Sequence, residues 1–385
     1  MPQVKLPTVP LFTNDKGPVL PGAHRMKELF DRLNGKRVGL VVNQSSLVGG
    51  EHLVDRLISS GLNIKKVFAP EHGFRGNVEA GTKVNSGIDS LTGLPIISLY
   101  GKHYKPIPED LENLDILVFD IQDVGVRFYT YISTLHNVME ACAEQNIPLI
   151  VLDRPNPNGF YIDGPVLDTA YKSFVGMHPI PVVYGMTIGE LAQMIKGEKW
   201  IDKSEQLNLT VFTCQNYQRN KSFSLKVPPS PNLPNDLSIL LYPSLCFFEG
   251  TVISLGRGTA FPFQVYGHPK LKGPFRFTPS PNKASLNPPL CGVECFGRDL
   301  RKCKMSDLLN SKQINLTFLL DAFVQLGSQD SFFLKSNFID KLYGSDQLRL
   351  LLKKRKTSKE IRDSWQPGLQ KFKQNRKKYL LYNED

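Results

Sequence analysis

Short runs of branched apolar residues recur along the first half of this chain, and each run is followed by polar or charged residues. Such runs, apolar on both faces and alternating with helical patterns, are typical of a parallel sheet that is covered by helices on both sides. The sequence therefore predicts a doubly wound α/β domain. The predicted strands are 37–42, 64–69, 95–99, 115–119, 148–152 and 207–212, and the predicted helices between and around them are 24–33, 51–60, 131–145 and 187–196.

Proline-rich stretches divide the chain. Five prolines within residues 1–21 predict an extended N-terminal arm, and the prolines of 228–234 break regular structure again. We therefore expect one domain over 22–230 and a smaller one over 231–385. In the second we expect a strand within 247–259, flanked by Glu249 and by the glycine-bracketed Arg257, and terminal helices.

Polar side chains follow five of the predicted strands. Because the carboxyl ends of parallel strands meet at one edge of the sheet, where such folds bind ligands, these side chains should lie close together. Small residues such as Asn43 could simply cap helices, but the large charged residues after the second and fourth strands favour a site. The residues are Asn43, Glu71, His72, Tyr100, His103, Asp120, Gln122, Asp123, Asp153 and Arg154.

The net charge of +11 is concentrated near the C-terminus, where residues 349–378 hold twelve Lys or Arg against two acidic residues. Apolar residues recur there at helical intervals, which favours helices with a solvated basic face over a nucleic-acid surface, although attraction to anionic polymers would follow. No apolar run approaches the ~20 residues of a membrane span. The first residues lack the apolar core of a secretory signal, so we expect an intracellular protein or a trimmed form of an exported one.

The segment after the first predicted strand indicates whether a nucleotide cofactor is bound. Residues 43–50 do not form the glycine-rich dinucleotide fingerprint, and no phosphate-binding Gly-Lys-Ser/Thr loop occurs. We therefore expect no nucleotide cofactor. Cys291, Cys295 and Cys303 have poor spacing for zinc and no nearby histidine, so they are interpreted as thiols.

Several motifs, in order, resemble the bacterial exo-β-N-acetylmuramidases, a family long known only as a domain of unknown function. The resemblance runs from about Gly22 to the C-terminus, and residues 291–300 match only loosely. It implies a Rossmann-like domain, a smaller α/β domain and an active site in the cleft between them. The motifs occupy residues 70–76, 98–101, 118–131, 152–157, 185–191, 229–234 and 248–251.

The resemblance also implies an activity, namely removal of N-acetylmuramic acid from the non-reducing ends of peptidoglycan fragments, with Glu71 as catalytic acid. Members are usually exported, so it implies the cell envelope or periplasm. A second carboxylate is expected from Asp120, Asp123 or Glu249, in that order, unless the acetamido group of the sugar is the nucleophile.

The chemical groups of muramic acid indicate which residue types should bind it. The lactyl carboxylate of muramic acid calls for an arginine, for which Arg127 and Arg257 are the first candidates and Arg75 the next. Tyr100, Tyr129 and Tyr131 could contact the sugar, although the last two could equally be core residues. His72, Asn43 and Gln122 complete the predicted site.

Two other functions stay open. A metal-dependent hydrolase would use His72, His103, Asp120 and Asp123 as ligands, although these do not form a compact motif. A non-catalytic protein that binds anionic cell-wall polymer would rely on the basic C-terminal segment.

Overall fold

The computed structural model describes residues 17–71, 73–75 and 87–384. His72 and most of the predicted N-terminal arm lie outside these residues. The strands are β1 (Val38–Val42), β2 (Leu47–Val48), β3 (Glu51–His52), β4 (Ile64–Ala69), β5 (Gly87–Ile88), β6 (Pro95–Ser98), β7 (Ile116–Asp120), β8 (Leu149–Leu152), β9 (Asp163–Val166), β10 (Pro181–Val183), β11 (Leu209–Phe212), β12 (Val265–His268), β13 (Phe275–Phe277) and β14 (Cys295–Asp299).

The α-helices follow the same order. They are α1 (Met26–Leu33), α2 (Leu53–Ser59), α3 (Pro108–Leu111), α4 (Tyr131–Gln145), α5 (Ile188–Gly197), α6 (Asp236–Leu245), α7 (Met305–Ser311), α8 (Thr317–Gln325), α9 (Phe338–Tyr343), α10 (Gln347–Lys353) and α11 (Ser358–Arg376).

The central sheet has the strand order β11-β8-β7-β1-β4-β6-β5, and every pair is parallel except β5 with β6. Successive residues of one strand enter different cores. In β7, Leu117 and Phe119 pack with α4 and α5, whereas Ile116 and Val118 pack with α1 and α2. This two-sided burial explains why the strands are apolar throughout, and it confirms the doubly wound fold.

Two local predictions were imprecise or wrong. Helix α2 begins at Leu53 rather than at residue 51, because Glu51–His52 pairs with Leu47–Val48 as a short antiparallel ladder. The strand expected within 247–259 is absent. Residues Cys246–Gly250 form a 3₁₀ helix, and the chain beyond turns at Gly256 and Gly258, whose φ angles of 72° and 78° are incompatible with a continuous strand.

The C-terminal part carries a smaller antiparallel sheet, with β14 between β12 and β13, together with α7 to α11. One apolar core runs through both parts of the chain, from β7 and α4 to Trp365 and Leu369 of α11. The terminal helices form as predicted. Several of their cations are neutralised by acidic partners, such as Arg349 by Asp340 and Arg362 by Asp163.

Within the described ranges, no helix combines the length and apolar character needed to cross a bilayer. All six cysteines are free thiols.

Candidate active site

A cavity of about 160 Å³ lies where the carboxyl end of β4 faces the C-terminal part of the chain. Five segments meet there: the end of β4, the loop before α4, the connection between β9 and β10, the proline-rich connection, and α6 with the segment that follows it. The site is thus built from residues far apart in sequence. The lining residues are Glu71, Phe128, Tyr129, Thr130, Val175, Ser230, Asn232, Leu233, Tyr242, Glu249, Arg257 and Phe263.

Glu71 is half-buried at the wall of this cavity, two residues beyond the end of β4. The Tyr100 side chain is hydrogen-bonded to it. Burial, followed by the charge of Glu71, raises the pKa of Tyr100 above its ordinary value, and burial and Glu71 have the same effect on the pKa of Tyr131. Both hydroxyls therefore stay protonated, and that of Tyr100 donates to the Glu71 carboxylate.

The two tyrosines that precede α4 hold the proline-rich connection. The hydroxyl of Tyr129 donates to the Pro229 carbonyl oxygen at 2.7 Å, and that of Tyr131 lies 3.4 Å from the same oxygen. Their rings meet edge to face at 4.9 Å between centroids. Both are buried in the core, and Tyr129 also lines the cavity.

Asn43 ends β1 beside the Tyr131 hydroxyl. Its Oδ1 accepts hydrogen bonds from the backbone N–H and the hydroxyl of Ser45, at 2.9 and 2.5 Å. Its buried Nδ2 faces the Tyr131 hydroxyl, and this contact opposes the effect of burial on the pKa of that tyrosine.

Glu249 and Arg257 form an ion pair at the opposite wall. Arg257 Nε and Nη2 both contact Glu249 Oε1, at 2.9 and 2.5 Å, and the guanidinium carbon lies 5.1 Å from the centre of the Phe263 ring. The Arg257 side chain keeps 26% of its surface exposed. It is therefore oriented, yet accessible to an anion from the cavity.

Arg75 serves the loop after β4 rather than the cavity. It binds Asp55 at 2.8 and 3.0 Å and Asp89 at 2.9 Å through two bonds, and it stacks on Phe74. The hydrogen bonds from Arg75 hold the pKa of Asp89 at about 2. Its donors are occupied by two carboxylates, which does not fit the predicted role of a lactyl-binding arginine.

Asp120 ends β7 but does not line the cavity. It is fully buried, and its two oxygens accept from Arg154 Nε and Nη2 at 2.6 and 2.8 Å. A buried carboxylate in a bidentate pair is poorly placed to attack or to activate water. This geometry does not fit the catalytic role expected of Asp120.

Asp123 is likewise buried and absent from the cavity wall. Its Oδ2 accepts from the Tyr184 hydroxyl and, at 2.7 Å, from the Gly125 N–H, whereas Oδ1 has no partner among the described residues. Burial raises the pKa of Asp123 to about 6.

This pKa predicts a specific dependence of stability on pH. An unfolded Asp titrates near pH 3.9, so between about pH 4 and 6 only the folded chain keeps the Asp123 proton. The protonated Asp123 carboxyl makes its full contribution to stability below about pH 4. The free energy of unfolding then falls by about 3 kcal/mol as the pH rises from about 4 through 6. Relative to wild type, Asp123→Asn should gain stability over this window in urea denaturation. A difference between the two proteins that is constant from pH 4 to 7 would contradict the assignment.

Arg127 is fully buried between the two parts of the chain. Its Nη1 donates to the carbonyls of Pro165 and Ile180 at 2.7 Å, and its Nη2 donates to those of Leu342 and Tyr343 at 2.9 and 2.6 Å. It does not line the cavity, so the geometry does not fit the sugar-binding role predicted for Arg127.

Two known protein families match this chain over most of its length. The family described as "Exo-beta-N-acetylmuramidase NamZ, N-terminal" matches residues 38–237, and the corresponding C-terminal family matches residues 240–382. The chain belongs to the NamZ family of exo-β-N-acetylmuramidases. The cavity of this NamZ family member lies between the regions matched by the two descriptions, since Glu71 falls in the first and Glu249 in the second.

Individual relatives agree with this assignment. The peptidoglycan beta-N-acetylmuramidase NamZ of Bacillus subtilis (strain 168) is 40% identical over 377 residues, which cover 91% of this chain and 88% of that protein. Two crystal structures of DUF1343 family proteins from Bacteroides fragilis superpose with TM-scores of 0.88 and 0.80, at 45% and 31% identity. Each superposition covers 95% of this chain and 99% of the Bacteroides fragilis chain.

Three of the four metal ligands considered from sequence have other protein partners in the structure. His103 is bound to Asp110 at 2.6 Å, Asp120 to Arg154 and Asp123 to Tyr184, and His72 lies outside the described residues. Across the described ranges, no three His, Cys, Asp or Glu side chains cluster as metal ligands would.

Sequence reasoning missed several wall residues of the NamZ cavity, among them Ser230, Asn232, Tyr242 and Phe263. The first two belong to the proline-rich stretch, which predicts a domain boundary and carries part of the family resemblance but gives no sign of a place in the site. The two aromatic residues carried no signal, because Tyr242 sits in an apolar helix and Phe263 in a loop without periodicity.

Proposed function

We propose that this chain is an exo-acting glycoside hydrolase that releases N-acetylmuramic acid from the non-reducing ends of peptidoglycan fragments, with Glu71 as the general acid. The observation that carries the proposal is the meeting of Glu71, Glu249 and Arg257 at one cavity with aromatic walls. Two carboxylates and a cation are the groups that hydrolysis of an anionic glycoside requires.

In the proposed reaction, protonated Glu71 donates its proton to the glycosidic oxygen as the bond from that oxygen to the anomeric carbon breaks. A water molecule supplies the hydroxyl that completes N-acetylmuramic acid, and its proton returns to the enzyme. Tyr100 holds the Glu71 carboxyl in orientation, which supports a directed proton transfer. Asn43, whose side chain faces the Tyr131 hydroxyl, is proposed to bind a sugar oxygen.

Glu249 is proposed as the second carboxylate, in place of Asp120 and Asp123. It lines the same cavity as Glu71, and its Oε2 is not bound by Arg257. The one protein contact of Oε2 among the described residues is a weak hydrogen bond from the Cys246 thiol at 3.4 Å, which a water molecule or the anomeric centre can replace. Asp120 is committed to Arg154 and Asp123 to Tyr184. Assistance by the acetamido group of the sugar would still use Glu249 to stabilise positive charge.

Arg257 is proposed to recognise the lactyl carboxylate. Its Nη1 makes no hydrogen bond to a described residue, and stacking on Phe263 fixes the plane of the guanidinium. Tyr129 and Phe128 are proposed to provide an apolar face for the sugar ring.

Replacing Arg257 with lysine should weaken recognition of muramic acid selectively. Lysine keeps the charge but loses the planar, two-pronged donor geometry, which is worth about 1–2 kcal/mol. We expect KM for a chromogenic N-acetylmuramide to rise roughly tenfold, with a smaller change in kcat. The matched control is Arg276→Lys, an exposed arginine outside the cavity, which should behave as wild type. An unchanged KM in Arg257→Lys would remove this arginine from substrate binding.

The proposed activity is tested with two chromogenic substrates that differ only in the lactyl ether, an N-acetylmuramide and an N-acetylglucosaminide. Release of the chromophore from the muramide alone supports the proposal. Equal hydrolysis of the two, or of neither, counts against it.

A further inference from the structure

A second cavity, of about 320 Å³, opens at the carboxyl edge of the same sheet. It lies where the loops after β1 and β7 diverge. From β1 the chain continues through β4 and β6 on one side, and then crosses to β7 and β8 on the other. In open α/β sheets this point of reversal is where ligands bind.

The floor of this switch-point cavity is polar, and a lysine stands at its rim. Arg154 is only 6% exposed, and two of its donors are held by Asp120, which balances its charge. Its Nη1 makes no hydrogen bond to any described residue. Lys226 is exposed at the rim, and Gln122, whose Nε2 donates to the carbonyls of Asp123 and Pro155, also lines the cavity.

His24 stands beside Arg154 at this floor, and its Nδ1 is buried without a hydrogen bond to the described residues. Burial, followed by the charge of Arg154, lowers the pKa of its imidazole. The neutral ring therefore adds a hydrogen-bonding group without adding charge at pH 7.

The remaining walls are apolar and come from Leu20, Leu47, Phe223, Leu225 and Val227. With one apolar side, a guanidinium donor at the floor and a lysine at the rim, the cavity matches a small molecule that has an apolar body and one acidic group. Its volume fits a ligand of about monosaccharide size, at the lower end of the range for ligand pockets.

This cavity is separate from the cleavage cavity. The chain at Pro228 and Pro229 runs between them, held on one side by Gln44 Nε2, at 3.3 and 3.2 Å from the two carbonyls, and on the other by the Tyr129 hydroxyl. No residue lines both cavities.

We propose that the switch-point cavity is a second binding site, which takes a small organic carboxylate through Arg154 Nη1 and Lys226. The site is distinct from the cleavage step and does not depend on the assignment of Glu71. It gives a role to Gln122 and to the Asp-Arg-Pro-Asn motif at 153–156, which the cleavage cavity does not use.

The test is a titration of wild-type protein with N-acetylmuramic acid, followed by the methyl signals of Leu and Val. Leu47 and Val227 report the switch-point cavity, and Leu233 and Val175 report the cleavage cavity. We expect saturable shifts at Leu47 and Val227 with N-acetylmuramic acid and none with N-acetylglucosamine, which lacks the carboxylate.

Variants at the rim separate charge from packing. Lys226→Glu should weaken the Leu47 response about tenfold by reversing one nearby charge, while Lys371→Glu, the same change on exposed α11, should leave it unchanged. Leu225→Trp, which narrows the cavity, should abolish it with hydrolysis retained. Arg154 is unsuitable, because its loss would leave Asp120 buried and unpaired.

Absence of a saturable shift at Leu47 and Val227 would overturn the proposal, as would equal responses to both sugars. Either result would leave the cleavage cavity untouched, since its signals, Leu233 and Val175, are read in the same spectra. A failure of the proposed hydrolase would instead appear as loss of turnover with the Leu47 response intact.

Discussion

Glu71→Gln should reduce release of N-acetylmuramic acid by at least about a thousandfold while the fold is retained. Glutamine has nearly the same shape and can keep a contact with Tyr100, but it cannot donate a proton to a leaving alkoxide. General acid catalysis contributes roughly 10²–10⁴ in rate, and a poor sugar leaving group depends on it most strongly. The measurement is kcat for a natural muramyl-glucosamine disaccharide, with the far-ultraviolet circular dichroism of both proteins recorded alongside.

A matched control keeps this result interpretable. Glu109→Gln makes the same chemical change at an exposed position in the first turn of α3 and should leave kcat unchanged. An activated substrate adds a second comparison, because a nitrophenyl leaving group needs little protonation and should recover part of the lost rate. Near-normal turnover of the disaccharide by Glu71→Gln would exclude Glu71 as the acid.

Arg127→Met should destabilise the protein by about 3–5 kcal/mol without removing a sugar contact. The guanidinium is fully buried and donates to four carbonyl oxygens, two of them in the C-terminal part at Leu342 and Tyr343. Burial lowers the pKa of Arg127 to about 9, yet it is still charged at pH 7. Methionine fills part of the volume but removes the donor from the carbonyls of Pro165, Leu342 and Tyr343, while that of Ile180 keeps the Leu167 N–H at 3.2 Å.

The free energy of unfolding in guanidinium chloride measures this effect, and KM of the folded fraction separates it from binding. The control is Arg276→Met, in which an exposed arginine that stacks only on Phe296 is removed. We expect a change below about 1 kcal/mol there. If Arg127→Met unfolds like wild type but shows a raised KM, the arginine has a role in substrate binding after all.

Much of the fold was predictable because the sheet is buried on both sides. All five residues of β7 are buried, and the first four form a contiguous apolar run. An exposed strand would not show such a run. The order of strands was less accessible, since it depends on which loops cross over the sheet. The strand expected within 247–259 failed because Gly256 and Gly258 were interpreted as flanks of a strand rather than as its interruption.

The sequence predicts which residues follow the strands, but not which of them face a cavity. Carboxylates at strand ends look alike in sequence, but Glu71 faces a cavity while Asp120 turns inward to Arg154. Arginines are equally ambiguous, since Arg127 and Arg257 both lie in glycine-containing motifs. Only the packing of the C-terminal part encloses Arg127 among carbonyl oxygens and brings Arg257 to a cavity. Pairings across 100 or more residues leave no local pattern.

The central claim is that this chain cleaves muramyl saccharides from the non-reducing end, and one measurement tests it most directly. The protein is incubated separately with the two isomeric disaccharides, N-acetylmuramyl-N-acetylglucosamine and N-acetylglucosaminyl-N-acetylmuramic acid, and the released sugars are identified by mass. We predict both monosaccharides from the first isomer and no cleavage of the second. Cleavage of the second isomer, or an intact first isomer after prolonged incubation, would contradict the assignment.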